Sequence, residues 1–169
     1  MSAANDQPQS LRVAVVLGGR SSEHQVSVVS ARFVARSLEE AGHQVLPMAI
    51  DHAGRWADPA TAGRVLGDSG DRTEEVLAFE GRHRLDPRLL EDGLDVVFPV
   101  LHGPFGEDGT IQGLLEMLGL PYVGCDHAAS GVCMDKILTK RLVADEGLAT
   151  AAWVEVRRRA WETDPDAVR

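Results

Sequence analysis

The stretch VVFPVLHGPFGEDGTIQG, residues 96–113, decides the fold that the sequence predicts. The apolar residues around its start predict a buried parallel strand over Leu94–Leu101. A helix is expected to begin near Asp108 and to end at Gly119, and four apolar residues fall at helical spacing within it: Ile111, Leu114, Leu115 and Leu118. A histidine, two acids and several glycines separate the strand from the helix. An ordinary connection needs no such polar specialisation, so we expect this one to contact a charged small molecule.

A strand–helix–strand unit earlier in the chain predicts two more strands. The apolar run Leu11–Leu17 ends at Gly18-Gly19 and indicates a second buried strand. Gln44–Ile50 indicates a third, and Pro47, which has no N–H to donate, favours an edge position for it. Strands that alternate with helices are typical of a parallel sheet covered on its faces. The predicted fold is therefore α/β, with a Rossmann-like parallel sheet flanked by helices.

The first helix carries start and stop signals. Ser22 and Gln25 match a capping box, in which side chains accept the unpaired N–H groups of the first turn. Gly42 predicts the end, because glycine is common just past the last turn of a helix. Four apolar residues are expected to face the sheet: Val26, Val29, Phe33 and Leu38.

The remaining segments give weaker patterns. Residues 51–91 are rich in Gly, Asp, Arg and Pro, and they predict a variable region with a hairpin and a short helix. Tyr122–Gly124 and Ala151–Val156 predict two further strands. Met134–Asp145 predicts a helix, and the polar residues 162–169 predict an unfinished one.

The composition excludes several classes of protein. The 169-residue chain is 44% hydrophobic, enough for one ordinary core, and its formal net charge is -9. This charge predicts no binding to nucleic acid or to anionic membranes, and no apolar run approaches the roughly twenty residues of a transmembrane helix. Residues 1–10 lack the apolar core of a signal peptide and predict a disordered tail. Cys125 and Cys133 form no CxxC pair, which favours a reducing cytoplasm.

Glu23 is the first candidate site residue. It follows Gly18-Gly19 at the edge of the sheet where ligands of open α/β folds bind, although the segment lacks the GxGxxG spacing of a dinucleotide site. Position alone leaves two roles open. The carboxylate either complements the positive end of the helix dipole or pairs with the ammonium of a ligand.

His102 and Gly103 are candidates at the same edge. His102 follows the last residue of a predicted strand, and its imidazole either bonds within the loop or contacts a substrate carboxylate. Gly103 is expected to supply an unusual backbone angle. Glu107 and Asp108 are expected to serve the start of the next helix and to take no part in the chemistry.

Lys136 is the last candidate. It lies near the start of a predicted helix, where its charge opposes the helix dipole and the charge of Asp135 offsets it. Such a lysine is either solvated or a point charge directed at a phosphate.

Three segments resemble the D-alanine–D-alanine ligase family. They are VAVVLGGRSSEHQVSVVSA (Val13–Ala31), VFPVLHGPFGEDGTIQGLLEMLGLPYVG (Val97–Gly124) and MDKILTK (Met134–Lys140). The second segment is too long and too specific in its spacing to match by chance. The resemblance covers nearly all of the chain except the tail and residues 51–91.

The resemblance implies an ATP-dependent ligase that makes the D-Ala-D-Ala dipeptide for peptidoglycan through an acyl phosphate. By the matching motifs, Glu23 and His102 are its catalytic residues: Glu23 holds the ammonium of the first D-alanine, and His102, with Gly103, lies next to its carboxylate. Lys136 matches a lysine that lines the ATP phosphate site. The family is cytoplasmic and commonly forms homodimers through the N-terminal domain.

Members of this family are much longer than the present chain. The resemblance divides the chain into the tail (1–10), a Rossmann-like N-terminal domain (11–130) and the incomplete beginning of an ATP-grasp central domain (131–169). The family uses ATP with Mg²⁺ or Mn²⁺, and the matching metal ligands would lie beyond Arg169. We therefore expect no metal ligand in this chain and no activity from the isolated 169 residues.

Two alternatives stay open. Gly124–Asp126 and Val132–Lys136 also resemble the D-alanine–D-lactate ligases of glycopeptide resistance, whereas the first segment is closer to the dipeptide ligases. The second alternative is a fragment without catalysis that acts only as a binding or dimerisation module.

Overall fold

A parallel sheet organises the first part of the chain. The computed structural model describes residues 9–67, 81 and 93–166. Its strands are β1 (Arg12–Gly18), β2 (Gln44–Ile50) and β3 (Val96–Pro99). Its helices are α1 (His24–Glu40), α2 (Pro59–Gly67), α3 (Thr110–Met117), α4 (His127–Met134), α5 (Lys136–Asp145) and α6 (Arg158–Thr163). The chain divides into two compact units, residues 1–131 and 132–169.

The sheet has the order β2-β1-β3, and both strand pairs are parallel. The central position of β1 explains its continuous apolar run, since side chains alternate between two covered faces and Val13–Leu17 are at most 2% exposed. One face packs against Val28 of α1 and Val65 of α2, and the other packs against Ile111 and Leu115 of α3. The predicted α/β fold, a parallel sheet flanked by helices, is confirmed.

The edge position predicted for β2 is also confirmed. Pro47 lies opposite Val15 in the register of β1 and β2, and among the described residues β2 has no second neighbouring strand, only an isolated bridge between Ile50 and Trp56. An edge strand tolerates proline because it need not donate on its outer side. The short helix predicted within residues 51–91 is α2, whereas the predicted hairpin and most of the predicted tail lie outside the described residues.

The face of α1 that meets the sheet differs from the prediction. Its buried residues are His24, Ser27, Val28, Ala31 and Ala35. Three of the residues predicted to face inward, Val26, Val29 and Phe33, are 54%, 52% and 74% exposed. Only Leu38 packs partly against the core. The prediction was wrong because it followed the largest apolar side chains, whereas small side chains let a helix lie close to its neighbour.

The start of α1 differs as well. Glu23 is the N-cap, and neither it nor the predicted pair at Ser22 caps the helix through a side chain. Instead, Ser21 Oγ accepts the N–H of Glu23 at 3.1 Å. The predicted end is confirmed, because Gly42 follows the last turn with a φ of +88°.

The two additional strands are wrong for the described residues. Tyr122 forms only an isolated parallel bridge with Val97, and residues 151–156 have no regular structure. A strand needs a second strand alongside it to pair its N–H and C=O groups, and the described residues of the second unit contain no strand that residues 151–156 could pair with. The helix predicted over Met134–Asp145 is largely α5, and α4 before it was not predicted.

The second unit consists of short helices and connections. None of the residues of α5 or α6 is buried, and Leu142 and Trp161 are exposed apolar examples. The assignment of residues 131–169 to the beginning of an ATP-grasp domain stays a prediction. Across the part of the chain that the structure describes, every helix falls short of the length and apolarity that crossing a membrane requires.

Candidate functional site

The turn between β1 and α1 is tightly held against the end of β2. A Cβ at Gly18, whose φ is +87°, would lie 2.3 Å from the carbonyl oxygen of Ile50, so the turn requires glycine there. Gly19 donates its N–H to the same oxygen at 2.8 Å. Nδ1 of the buried His24 lies 2.8 Å from the carbonyl oxygen of Gly19, and its ring stacks on His52 with centroids 4.0 Å apart. These contacts fix the direction in which the chain enters α1.

Glu23 faces the loop that follows β3. Its Oε2 lies 2.6 Å from the point that a Cβ of residue 103 would occupy. Gly103 is buried and has a φ of +65°, a conformation in which glycine is strongly favoured. No residue that the structure describes donates a hydrogen bond to this carboxylate. Although Glu23 is the N-cap residue of α1, its carboxylate makes no capping hydrogen bond and no ion pair with the described residues, and its oxygens are available to a ligand.

His102 lies beside this contact and next to Glu107. Its Nδ1 is 4.0 Å from Oε1 of Glu107, while Oε2 of Glu107 accepts the N–H of Gly103 at 2.8 Å. The other ring nitrogen, Nε2, is buried without a hydrogen-bond partner among the described residues. Buried polar atoms in native proteins almost always have a partner, so this nitrogen is suited to a ligand.

Glu107 was wrongly predicted to serve the start of the next helix. Its carboxylate instead accepts the N–H of Gly103. The spacing of four residues between Gly103 and Glu107 is the signal in the sequence that could have indicated this bond. Asp108 has the predicted role, because it accepts the N–H of Thr110, the first residue of α3, at 3.0 Å and that of Phe105 at 2.9 Å. Burial raises the pKa of Asp108, but these hydrogen bonds outweigh burial and hold the pKa below its usual range.

A cavity of about 330 Å³ opens beside His102. Its apolar walls include Ile50, Trp56, Leu101, Ile111 and Leu114. Arg20 also lines it, with its guanidinium carbon 4.6 Å from the centroid of the Phe105 ring. The volume lies at the lower end of the range for small-molecule sites, and the shared His102 makes this cavity part of the same site.

Lys136 belongs to the second unit and is the first residue of α5. Its side chain is exposed and makes no hydrogen bond or ion pair with any described residue. Asp135 caps the helix as expected, since its carboxylate accepts the N–H groups of Ile137 and Leu138 at 2.9 and 3.1 Å. Within the described ranges, no three His, Cys, Asp or Glu side chains are grouped so that they could hold a metal ion.

Residues 12–125 match the family model described as D-ala D-ala ligase N-terminus. The chain belongs to this family. The D-alanine–D-alanine ligase of Streptomyces avermitilis is 42% identical over 181 residues, which cover 96% of this chain and 47% of that protein. The solved D-alanine–D-alanine ligase from Coxiella burnetii is 34% identical with a TM-score of 0.68, over 89% of this chain and 46% of that one.

The family match confirms the resemblance that the three segments predicted. A second solved structure, the VanG D-Ala:D-Ser ligase from Enterococcus faecalis, is 30% identical with a TM-score of 0.65 and covers 92% of this chain and 47% of that one. The chain spans about half the length of the curated relatives it matches. Glu23, His102 and Gly103 lie within the matched range, and Lys136 lies outside it.

Proposed function

We propose that this chain supplies the N-terminal part of an ATP-dependent D-alanine–D-alanine ligase that serves peptidoglycan synthesis in the cytoplasm. One observation carries the proposal: the available carboxylate of Glu23 lies against Gly103, next to a histidine with an unpartnered buried nitrogen. The family match over residues 12–125 supports the same activity.

The two side chains suit a zwitterionic amino acid. Glu23 would accept hydrogen bonds from the ammonium of the first D-alanine, which fixes its amino end. Nε2 of His102 would donate to the carboxylate, which keeps that group aligned for phosphorylation. Transfer of the γ-phosphoryl group of ATP to this carboxylate releases ADP. The amine of a second D-alanine then attacks the acyl carbon, loses a proton and displaces phosphate, which leaves the dipeptide.

We infer that Lys136 meets the phosphates of ATP, because its exposed ammonium has no partner among the described residues. The family uses Mg²⁺ or Mn²⁺ to neutralise charge at the phosphates. The described residues offer no group of ligands for such an ion, so its ligands would come from other parts of the enzyme.

The proposal is tested with the gene product that carries these residues, expressed at its natural length. Glu23→Gln removes the negative charge that faces the ammonium, and His102→Gln removes the ring nitrogen that faces the carboxylate. Each loss of a hydrogen bond between well-placed charged groups is worth about 1.5–3 kcal/mol, so each variant should lower D-alanine-dependent phosphate release by roughly ten- to 150-fold. Glu40→Gln, at the exposed end of the same helix, is the matched control and should retain full activity. Near-normal activity of both site variants would contradict the roles assigned to them.

A ligase with a different second substrate is the second candidate, and the likeness to the D-Ala:D-Ser ligase favours it. Product analysis with D-alanine alone, and with added D-serine or D-lactate across pH, separates the candidates. Formation of mainly D-Ala-D-Ala supports the dipeptide ligase, whereas preferential formation of a mixed product would replace it.

A non-catalytic binding or dimerisation module is the alternative from another class. ATP hydrolysis by the isolated 169 residues distinguishes it from a self-sufficient enzyme: we expect no D-alanine-stimulated turnover from them.

We also infer a homodimer through the first unit, which the exposed apolar residues Val29 and Phe33 of α1 support. Light scattering of the natural-length product would show a monomer if this inference is wrong.

A further inference from the structure

Ser27 joins the ends of the two strands that lead into the site. It is fully buried on α1, one turn after Glu23. Its Oγ accepts the N–H of Gly18, the last residue of β1, at 2.8 Å. The same hydroxyl donates to the carbonyl oxygen of Val100, just after β3, at 2.5 Å. One hydroxyl therefore uses its donor and an acceptor position to connect two loops.

The hydroxyl lies where the next hydrogen bond of the β1–β3 ladder belongs. Val100 donates its N–H to the carbonyl of Val16 at 2.8 Å. In a regular parallel pair, the carbonyl of Val100 would in turn accept the N–H of Gly18 directly. Ser27 stands between these two groups and bonds to both. The strands are thus separated at this point by one oxygen atom, and the loops to Glu23 and His102 begin there.

We propose that Ser27 is a positioning residue of the D-alanine site, an inference that rests on the proposed function. Its hydroxyl sets the separation between the β1–α1 turn and the loop after β3. It acts on Glu23 through α1 as well, since the N–H of Ser27 donates to the carbonyl of Glu23 at 3.0 Å. Ser27 itself touches no substrate. It controls how the carboxylate of Glu23 lies against Gly103, and hence the distance between the two groups that hold the ends of D-alanine.

Three variants of the natural-length gene product test this role. Ser27→Ala removes both hydrogen bonds. Ser27→Cys keeps a weak donor of similar size but lengthens the bridge, and it serves where the alanine variant does not fold. Val28→Ala is the matched control, because Val28 is also fully buried on α1 and packs in the core without bonding to either loop.

We expect Ser27→Ala to raise the KM for D-alanine at least tenfold and Ser27→Cys to raise it several-fold. The KM for ATP should stay within twofold in both, and Val28→Ala should change neither KM at temperatures where it is folded. A purely structural serine would lower the amount of folded enzyme without this difference between the two substrates. Equal effects on both KM values, or a D-alanine KM in Ser27→Ala no higher than in Val28→Ala, would overturn the proposal.

Hydrogen exchange separates failure of this inference from failure of the proposed function. Amide exchange of residues 101–106, apart from Pro104, should be at least tenfold faster in Ser27→Ala than in Val28→Ala, whether or not the protein is a ligase. If the wild type shows no D-alanine-dependent turnover, the proposed function fails and exchange alone decides the role of Ser27. Exchange in this segment that matches Val28→Ala would then overturn the positioning role.

Discussion

Gly103→Ala should impair binding of D-alanine far more than it destabilises the fold. Gly103 has a φ of +65°, and a Cβ there would lie 2.6 Å from Oε2 of Glu23 and 3.3 Å from Cβ of Ser21. The substitution therefore has two separable effects. Alanine in the left-handed region costs about 1–2 kcal/mol, and the methyl group also displaces the carboxylate of Glu23.

Gly119→Ala isolates the second effect. Gly119 has a φ of +66°, and nothing lies within 4 Å of the Cβ that it would gain. Its backbone cost should therefore equal that of Gly103→Ala, about 1–2 kcal/mol of unfolding free energy, without any movement of Glu23. Urea denaturation of both variants measures this common cost.

The activity of the two variants should differ. Loss of a charged hydrogen bond to the ammonium, worth about 1.5–3 kcal/mol, predicts a D-alanine KM roughly ten- to 150-fold higher in Gly103→Ala. Gly119→Ala should keep the wild-type KM. Steady-state kinetics on the natural-length gene product supplies the comparison. A KM that rises equally in both variants would refute the argument, because the carboxylate of Glu23 would then have no special dependence on the space at Gly103.

Three further results are expected. Asp51→Asn should lower the unfolding free energy by about 1–3 kcal/mol near neutral pH, because the buried carboxylate accepts the N–H groups of Arg55 and Gly81. Burial raises the pKa of Asp51, but these bonds lower it by more, so the pKa in the folded state lies below its ordinary value. The stabilisation is therefore present above the ordinary pKa and is lost as the pH falls through the pKa of the folded state. Urea titrations that show the same difference between wild type and variant at all pH values would contradict this. Glu107→Gln should retain most activity, because an amide oxygen still accepts the N–H of Gly103, whereas Glu107→Ala should raise the KM for D-alanine. Equal kinetics of the two variants would show that this hydrogen bond does not support the site. Lys136→Met should raise the KM for ATP and leave that for D-alanine unchanged in initial-rate assays, and the reverse pattern would remove Lys136 from the phosphate site.

Most of the fold could be predicted from local patterns. The apolar run of β1, the glycines that follow it and the apolar stripe of α3 each act over a few residues, so their sequence carries the information. Strand predictions failed at Tyr122 and at residues 151–156. A short apolar run is compatible with a strand but becomes one only where another strand lies alongside it.

The candidate residues of the site could be named in advance, but their partners could not. Position at the edge of the sheet made Glu23, His102 and Gly103 candidates, and the family resemblance supplied their expected roles, whereas Glu107 was assigned to the start of a helix. Its carboxylate could bond either forward to the helix or back to Gly103, and sequence order does not decide between two acceptable partners. The folded loop decides it, because the left-handed turn at Gly103 directs its N–H toward Glu107.

The sequence by itself determined the class of fold, the ligase family and the edge of the sheet where the candidate residues lie. Only the tertiary structure decided which face of α1 is buried and which groups Ser27 bonds to. The hydroxyl of Ser27 meets Val100 across 73 positions of the chain, and no local pattern encodes such a meeting. Burial tendency and turn geometry depend on neighbouring residues, whereas the pairing of polar groups depends on how distant segments are brought into register by the packed core.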